Sequence, residues 1–450
     1  VAEPIISVSG LRGIVGESLT PEIAVRYALA FASTLPPGPI VLTYDGRESG
    51  VTLLSAISKS GAATGRDVID FWCQATPTAG VLVRHHRAAG GIQITASHNP
   101  IEYNGLKLIA AEGRVVPASV GEEALRRYRD NQFVVTGGAG VTGKIRDAIE
   151  LKLENPHVAL VSAIVDVQSV RNRHFRVLID SNAGSGQGVA GWLLADLGCK
   201  NLWTDWDQLG HFIHPPEPSA ENLAGVLPKV VENKCDIGFC QDPDADRLAV
   251  IDENGRYVGE EYTLAICVNH VLRQRPGPVV TNCSTSRMTE DLAKKYNVPF
   301  FRSAVGEANV VDAMLEHGAV IGGEGNGGVI DPRVVLVRDS FTAMVLILDA
   351  MAERNLPVSA LADELPRYEI CKTKIELPRE KLAAGFAALE RHFKEAKVDK
   401  LDGIRFDWPD SWLLVRPSNT EPVVRAIAEA PTMAVAKSLC QQATAALSAA

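Results

Sequence analysis

The sequence predicts an α/β protein: three successive mixed-sheet α/β domains and a smaller C-terminal α+β domain around a central cleft. Three observations lead there. Strand-like apolar runs alternate with helical ones, the alternation restarts twice, and the pattern changes character near residue 366. A chain of 450 residues is also too long for one core, since a domain takes about 100–200 residues.

The first domain, 1–140, reads as strands at 40–43, 68–72 and 92–95 between helices at 21–33, 53–65 and 80–88. The turn-rich stretch NQFVVTGGAGVTGK leads into the second domain, 141–256, where FRVLID, NLWTDW and DIGFCQ are strands and GVAGWLLADLG and NLAGVLPKVVENK are helices. The third, 257–365, runs through GPVVTN, MTEDLAKKYN, PFFRSA, NVVDAMLEHG and AVIGGE to a long helix at 340–354. The fourth, 366–450, offers two or three strands with helices at 379–393 and 433–448, and 365–369 is its natural hinge. Three units of similar rhythm suggest internal duplication, and a loop from each domain would meet in the cleft.

Composition narrows the function. Forty-six per cent apolar and 22% charged residues, with mean hydropathy +0.04, match a soluble globular enzyme. No apolar stretch approaches the ~18 residues of a spanning helix; the longest, 344–351, is cut by Asp349, so no membrane contact is expected. The opening Val-Ala-Glu-Pro has no charged region followed by an apolar run, which argues against secretion. Eight scattered cysteines without a Cys-x-x-Cys pair fit buried thiols in a reducing, cytoplasmic setting. A net charge of −9 argues against nucleic acid as a partner, so an anionic ligand must meet local positive charge.

Four loops carry chemistry. In GGIQITASHNPIEYNGLKL a strand delivers Ser97 into a turn of His98, Asn99 and Pro100, with Asn104, Gly105 and Lys107 following; Ser97 is a candidate nucleophile. In QDPDADRLAVID, Asp242, Asp244 and Asp246 stand two residues apart at a strand end. Such carboxylates repel and need a cation, and a hard oxygen set suits Mg²⁺; a solvated acidic turn is the alternative. An EF-hand is excluded, because its sixth position is Arg247 rather than Gly and 248–251 belong in a core. GGEGNGG offers Glu324 and Asn326 on a thin backbone, suited to vicinal sugar hydroxyls, or else forms a plain tight turn. VRPSNTEPVVRAIAEA groups Arg416, Ser418, Asn419, Thr420 and Arg425, a phosphate cradle or a cap followed by surface arginines.

Two other patterns are weaker. Gly186, Gly188 and Gly191 spell G-x-G-x-x-G, but SNAGS separates them from the strand end at Asp180, which favours a helix-entry turn over a dinucleotide site. His211 and His214 lie among prolines in an extended loop and read as structural, while His85 and His86 close a helix.

In the order serine, three aspartates, Gly-Glu and Arg-x-Ser-Asn-Thr-Glu-Pro, these loops resemble the α-D-phosphohexomutase superfamily, which includes phosphoglucomutase/phosphomannomutase and phosphoglucosamine mutase. SGLRGIVG, DGRESG and Thr76-Pro77-Thr78 also resemble family segments. The resemblance implies a phosphoserine at Ser97, Mg²⁺ on Asp242, Asp244, Asp246 and a phosphoserine oxygen, and a sugar bisphosphate that reorients between two transfers. It further implies charge stabilisation by Arg247 and Arg12, with His98 beside the serine, and proton transfer by Lys107. Sugar hydroxyls fall to Glu324 and Asn326, the idle phosphate to Arg416, Ser418, Asn419, Thr420 and Arg425. Arg287 joins the substrate-binding groups, and a sugar 1,6-bisphosphate serves as activator. The protein would act as monomer or homodimer on a small sugar phosphate.

The sequence departs from the family at three places. Pro243 replaces a usual glycine in the metal loop, and Gly328 stands where bifunctional enzymes carry a histidine, leaving the second acid/base unassigned. Glu307 replaces another such histidine. A carboxylate there would pair with an amine at C2, and a hydrogen bond to a charged group contributes roughly 1.5–3 kcal/mol, so glucosamine phosphate is the expected substrate. If Glu307 instead contacts neighbouring backbone, a broad phosphoglucomutase/phosphomannomutase follows. A dehydrogenase and a catalytically silent sugar-phosphate-binding protein are the remaining readings.

Overall fold

Local chemistry sets the helix boundaries in the computed structural model, which describes residues 3–7, 10–133, 142–205, 209–417 and 423–449. Thr20 caps Pro21–Ala32 by accepting from Ile23 N, with proline at the first helical position, where a missing N–H costs nothing. Asp339 and Thr432 cap Ser340–Arg354 and Met433–Ser448 likewise, and Asn355 ends the former in left-handed backbone. The helix expected across NLAGVLPKVVENK is only Leu227–Glu232, because Pro228 is tolerated in a first turn and not further in.

Four sheets follow in chain order, as the predicted fold class requires. The first three domains share one plan. In the first, the strands lie as Val68–Cys73, Ile40–Tyr44, Gly90–Ile94, Tyr103–Ala110; in the second, as Lys200–Trp203, Arg176–Asp180, Ile237–Gln241, Leu248–Asp252. In the third they lie as Phe300–Ser303, Val279–Asn282, Ile321–Glu324, Gly328–Ile330. Each time three strands are parallel and the last turns back antiparallel. The turn into that last strand is the same place three times over. It holds Ser97 in the first domain, the three aspartates in the second, and starts at Glu324 in the third.

The first sheet is extended by Ile5–Ser7 and Gly10–Ile14 on one side and by Ile145–Asp147 on the other. It therefore runs past the expected boundary at 140, which lies outside the described residues. The fourth sheet is antiparallel with five strands rather than two or three: Glu369–Glu376, Val423–Ala430, Trp412–Pro417, Ile404–Asp407 and Lys397–Asp399. The last two are only four and three residues long, at or below the shortest run over which alternation marks a strand.

Cores do not divide as the sheets do. Ser340–Arg354 is buried continuously from Ser340 to Ala352, and the second and third domains pack around it as one core. Side chains such as Phe341 and Leu348, removed from water on every side, are worth roughly 1.5–3 kcal/mol each. His157 ties the first domain on, with Nδ1 2.9 Å from Thr78 Oγ1 and Nε2 3.0 Å from Asp339 Oδ2. Among the described residues, no helix is long and apolar enough to cross a membrane.

The fourth domain has its own core and meets the third through arginines. Arg405 donates to Cys283 O, and Arg287 donates to Trp408 O at 3.2 Å while its backbone N–H reaches Glu429 at 3.0 Å. Arg287 also faces the Tyr368 ring, and Tyr368 is bonded to Asp291 at 2.7 Å, beside the expected hinge. Arg287, expected to bind substrate, holds its Nη1 against carbonyls of the fourth domain, while its Nε is buried without a hydrogen-bond partner among the described residues. Arg287→Met should leave Trp408 O and Ser411 O without their donor in a dry joint, costing about 1–3 kcal/mol. Chemical denaturation should show that loss, and small-angle scattering a larger radius of gyration than the wild type.

Candidate active site

Ser97 sits in left-handed backbone at φ 51° and is 1% exposed. A non-glycine residue there costs roughly 1–3 kcal/mol and persists only where its surroundings over-determine it. Arg47 does so from a fully buried position. Its guanidinium donates to Ser97 O and Asn99 O at 2.7 Å, Pro100 O at 2.6 Å and Tyr103 O at 2.9 Å, while Nε pairs with Asp45 at 3.0 Å. Asp45 also accepts from Thr95 Oγ1 at 2.7 Å, and Thr95 Oγ1 accepts from Ser97 N at 2.8 Å. Neither Arg47 nor Asp45 was among the sequence candidates, although both lie in DGRESG.

The serine hydroxyl donates to Asp242 Oδ2 at 2.9 Å across the boundary between the first two domains. His98 Nδ1 is 3.3 Å from Ser97 Oγ. Burial, then the cations of Arg247 and Arg12, push His98 down to about 2, so its ring is neutral. Arg12 is held beside this loop by a 3.0 Å bond to Asn99 Oδ1.

Asp242, Asp244 and Asp246 are completely buried, and each offers an oxygen within 4.8 Å of the others. Cations come to them from three domains. Lys107 Nζ lies 3.1 Å from Asp244 and 2.7 Å from Asp246, and Arg338 Nη2 lies 2.5 Å from Asp246. The Arg247 N–H donates to Asp242 at 3.1 Å, with its Nε 3.9 Å from Asp246. Thr76 Oγ1 adds a 2.6 Å bond to Asp244. Burial and its two acidic neighbours hold Asp242 well above the carboxylate range, whereas for Asp246 the burial penalty is outweighed by Arg338, Lys107 and Arg247 and the group is held low. Burial would also lower Lys107, but Asp244, Asp246 and Glu307 outweigh it and keep the ammonium charged.

The donor set fits Mg²⁺. It is all oxygen, and Asp244 Oδ1 and Asp246 Oδ1 are buried without a hydrogen-bond partner among the described residues. Behind this loop, Gly186 opens the helix Gly186–Asp196, and a Cβ on it would fall 2.7 Å from Gln241 Cδ. The glycine pattern thus serves close packing at a helix entry. His214 is structural, with Nε2 3.2 Å from Asp180.

In the third domain Glu324 Oε1 accepts from Asn282 Nδ2 at 2.6 Å and Gly306 N at 3.2 Å, and Oε2 accepts from Arg338 Nη1 at 2.7 Å. Glu307 opens the helix Glu307–His317; its Oε1 accepts from Arg338 N at 2.7 Å and Oε2 lies 3.6 Å from Arg338 Nε. This is the backbone contact weighed as the alternative role for Glu307. Asn326 Oδ1 is buried with no hydrogen-bond partner among the described residues. Arg338 escaped the sequence reading, because it sits in no motif and merely precedes the helix at 340.

In the fourth domain Arg416 pairs with Asp402 at 3.0 Å. Arg425 lies directly opposite Arg416 on one neighbouring strand and Lys374 on the other. Like charges directly opposite on one sheet face are destabilising, so this row favours an anion. Lys374 was missed, since only strand pairing brings it there. Ser418, Asn419 and Thr420, expected between Arg416 and Arg425, lie outside the described residues.

This architecture has known counterparts. Models of phosphoglucomutase/phosphomannomutase match the whole series of domains: alpha/beta/alpha domain I at 5–134, II at 155–255, III at 260–368 and the C-terminal domain at 373–446. The chain belongs to the phosphoglucomutase/phosphomannomutase family. These phosphohexomutases are isomerases that transfer a phosphoryl group within a sugar phosphate. A phosphoglucomutase/phosphomannomutase of Thermococcus kodakarensis is 37% identical over 94% of this chain and 93% of its own. A protein named probable phosphoglucosamine mutase from Thermococcus gammatolerans is 33% identical over 97% and 96%. A solved family structure from Burkholderia thailandensis superposes with a TM-score of 0.86 at 26% identity, covering 99% of this chain and 98% of that one.

Beneath the sugar loop, Glu261 accepts from Ser286 N at 2.9 Å and fills the space a Cβ on Gly325 would need. Burial, only partly offset by that bond, pushes Glu261 up to about 8. The folded state then binds this proton more tightly than the unfolded chain, so stability falls as pH rises from about 4.5 to 8. Glu261→Gln keeps the acceptor without the charge. Its unfolding free energy in chemical denaturation should match the wild type at pH 5 and exceed it at pH 9 by on the order of 2–4 kcal/mol.

Proposed function

We propose that the protein is a phosphoglucosamine mutase in which Ser97 carries the transferable phosphoryl group. The observation that carries this reading is the Ser97 hydroxyl, clamped in strained backbone, 2.9 Å from a buried aspartate whose neighbours hold Lys107. In the first transfer the P–O bond to Ser97 Oγ breaks as one forms to the free hydroxyl of a hexose phosphate. The resulting 1,6-bisphosphate turns around and returns its other phosphoryl group to Ser97, and the same bisphosphate serves as activator by priming an unmodified serine.

Asp242, Asp244, Asp246 and a serine-borne oxygen would hold Mg²⁺, which would supply charge neutralisation for the phosphoryl group. Arg247 and Arg12 add fixed cations beside it, and the neutral His98 accepts or donates a hydrogen bond without adding charge. Lys107, held as an ammonium, gives a proton to the departing oxygen and takes up the one the attacking hydroxyl releases, so each transfer ends with the ammonium restored. The row of Arg416, Arg425 and Lys374, together with Ser418, Asn419 and Thr420, grips the phosphate that is not reacting. Glu324 and Asn326 hold sugar hydroxyls, Glu324 by exchanging its present partners for the ligand and Asn326 through its unpartnered Oδ1. The eight free thiols suit a cytoplasmic enzyme, acting as monomer or homodimer without nucleic acid.

Glucosamine phosphate is favoured because Glu307 Oε2 lies beyond hydrogen-bond length from Arg338 and can meet an amine at C2. A second reading, a bifunctional phosphoglucomutase/phosphomannomutase, draws support from the Glu307 Oε1 bond to Arg338 N and from the Thermococcus kodakarensis relative.

Ser97→Ala should fold normally and lose nearly all turnover, and phosphopeptide mapping of the wild type should find the phosphoryl group on Ser97. An active enzyme that never carries phosphate there rejects the mechanism. Among glucosamine, glucose and mannose phosphates, glucosamine phosphate should show the highest kcat/KM, with Glu307→Gln narrowing its lead about tenfold. An unchanged ratio in that variant transfers the choice to the bifunctional reading.

A further inference from the structure

We propose that Arg338 is a positioning residue that acts as the internal counter-cation of the metal loop, and that Gly328 is what admits it. One planar guanidinium, 9% exposed, spans two loops from two domains: Nη2 is 2.5 Å from Asp246 and Nη1 is 2.7 Å from Glu324. Its own backbone N–H is anchored on Glu307. A fork of fixed geometry can hold two carboxylates in this way where a single ammonium cannot.

The seat exists because residue 328 has no side chain. A Cβ on Gly328 would fall 2.8 Å from Arg338 Cγ, 3.1 Å from its Cβ and closer still to its Cδ. Any larger residue at 328 therefore moves Arg338 off its line between Asp246 and Glu324.

The inference rests on reading the three aspartates as a divalent-cation site. Two cations sharing the Asp246 carboxylate repel one another, so a bound ion weakens the hold of Arg338 on Asp246 and leaves the guanidinium to Glu324 and Glu307. Occupancy of the metal loop is thereby transmitted to the sugar loop through one side chain, and metal affinity is lower than the aspartates alone would give.

Titration of the full-length protein with Mn²⁺, followed by calorimetry and by the free-ion spin-resonance signal, tests this without turnover. Arg338→Met should bind Mn²⁺ about tenfold more tightly than the wild type, whereas Arg338→Lys, which keeps the charge, should stay within about threefold. Gly328→Ala keeps the arginine but displaces it, and should tighten Mn²⁺ binding about threefold or more. The double variant Gly328→Ala/Arg338→Met should bind no more tightly than Arg338→Met alone. Damage to the fold would weaken ion binding, so tightening separates lost competition from lost structure. Unchanged or weaker Mn²⁺ binding in folded Arg338→Met, or in Gly328→Ala should Arg338→Met fail to fold, overturns the proposal. A wild type that binds no Mn²⁺ at all removes the metal reading of the aspartates itself, a different failure.

Discussion

Three carboxylates with oxygens within 4.8 Å of one another, all sealed from water, are the constraint around which the molecule is arranged. Burying an unpaired charge costs several kcal/mol, and three like charges cannot compensate each other. The protein answers with Lys107 from the first domain, Arg247 from the second and Arg338 from the third. Docking of the three domains and neutralisation of the metal loop are thus one event. The net charge of −9 hides this local concentration of cations.

The repeated sheet plan explains how three domains reach one point. In each, the third parallel strand ends at the cleft and the chain must turn sharply to run back antiparallel. A sharp turn at a strand end exposes backbone and polar side chains where flanking strands hold them rigidly. The three turns present a serine hydroxyl, an acidic triad and the Glu324 carboxylate, so one geometry positions three kinds of polar group. The fourth domain is built differently, from antiparallel strands, and is joined through Arg287 and Arg405 rather than through the shared core. That joint combines the arginine bonds with a small apolar cluster of Cys283, Trp412 and Leu414.

Rigidity at Ser97 has its own source. Four carbonyls converging on one buried guanidinium hold a backbone conformation that the serine alone would not choose. Arg47 itself is held by Asp45, and the loop is fixed before any ligand arrives. Arg338 is tied differently, divided between two domains' loops and able to change its share of each.

Much of this was legible in the chain. Alternating apolar runs recorded the three α/β units, because a strand or helix must bury one face whatever it packs against, and the helix at 340–354 was readable to the residue. The polar side chains gathered at the strand-end turns were legible because a turn needs small and polar residues in a fixed order. Arg338, Arg47 and Lys374 were not, nor was the place of Arg287 against the fourth domain. Their partners lie far away along the chain, 92 residues for Arg338 and Asp246 and 121 for Arg287 and Trp408. Local spacing determined the elements and the chemistry each loop carries, since both follow from neighbours along the chain. Which cation meets which carboxylate was decided only by tertiary structure, because charge pairing depends on distance through space, and no local pattern encodes it.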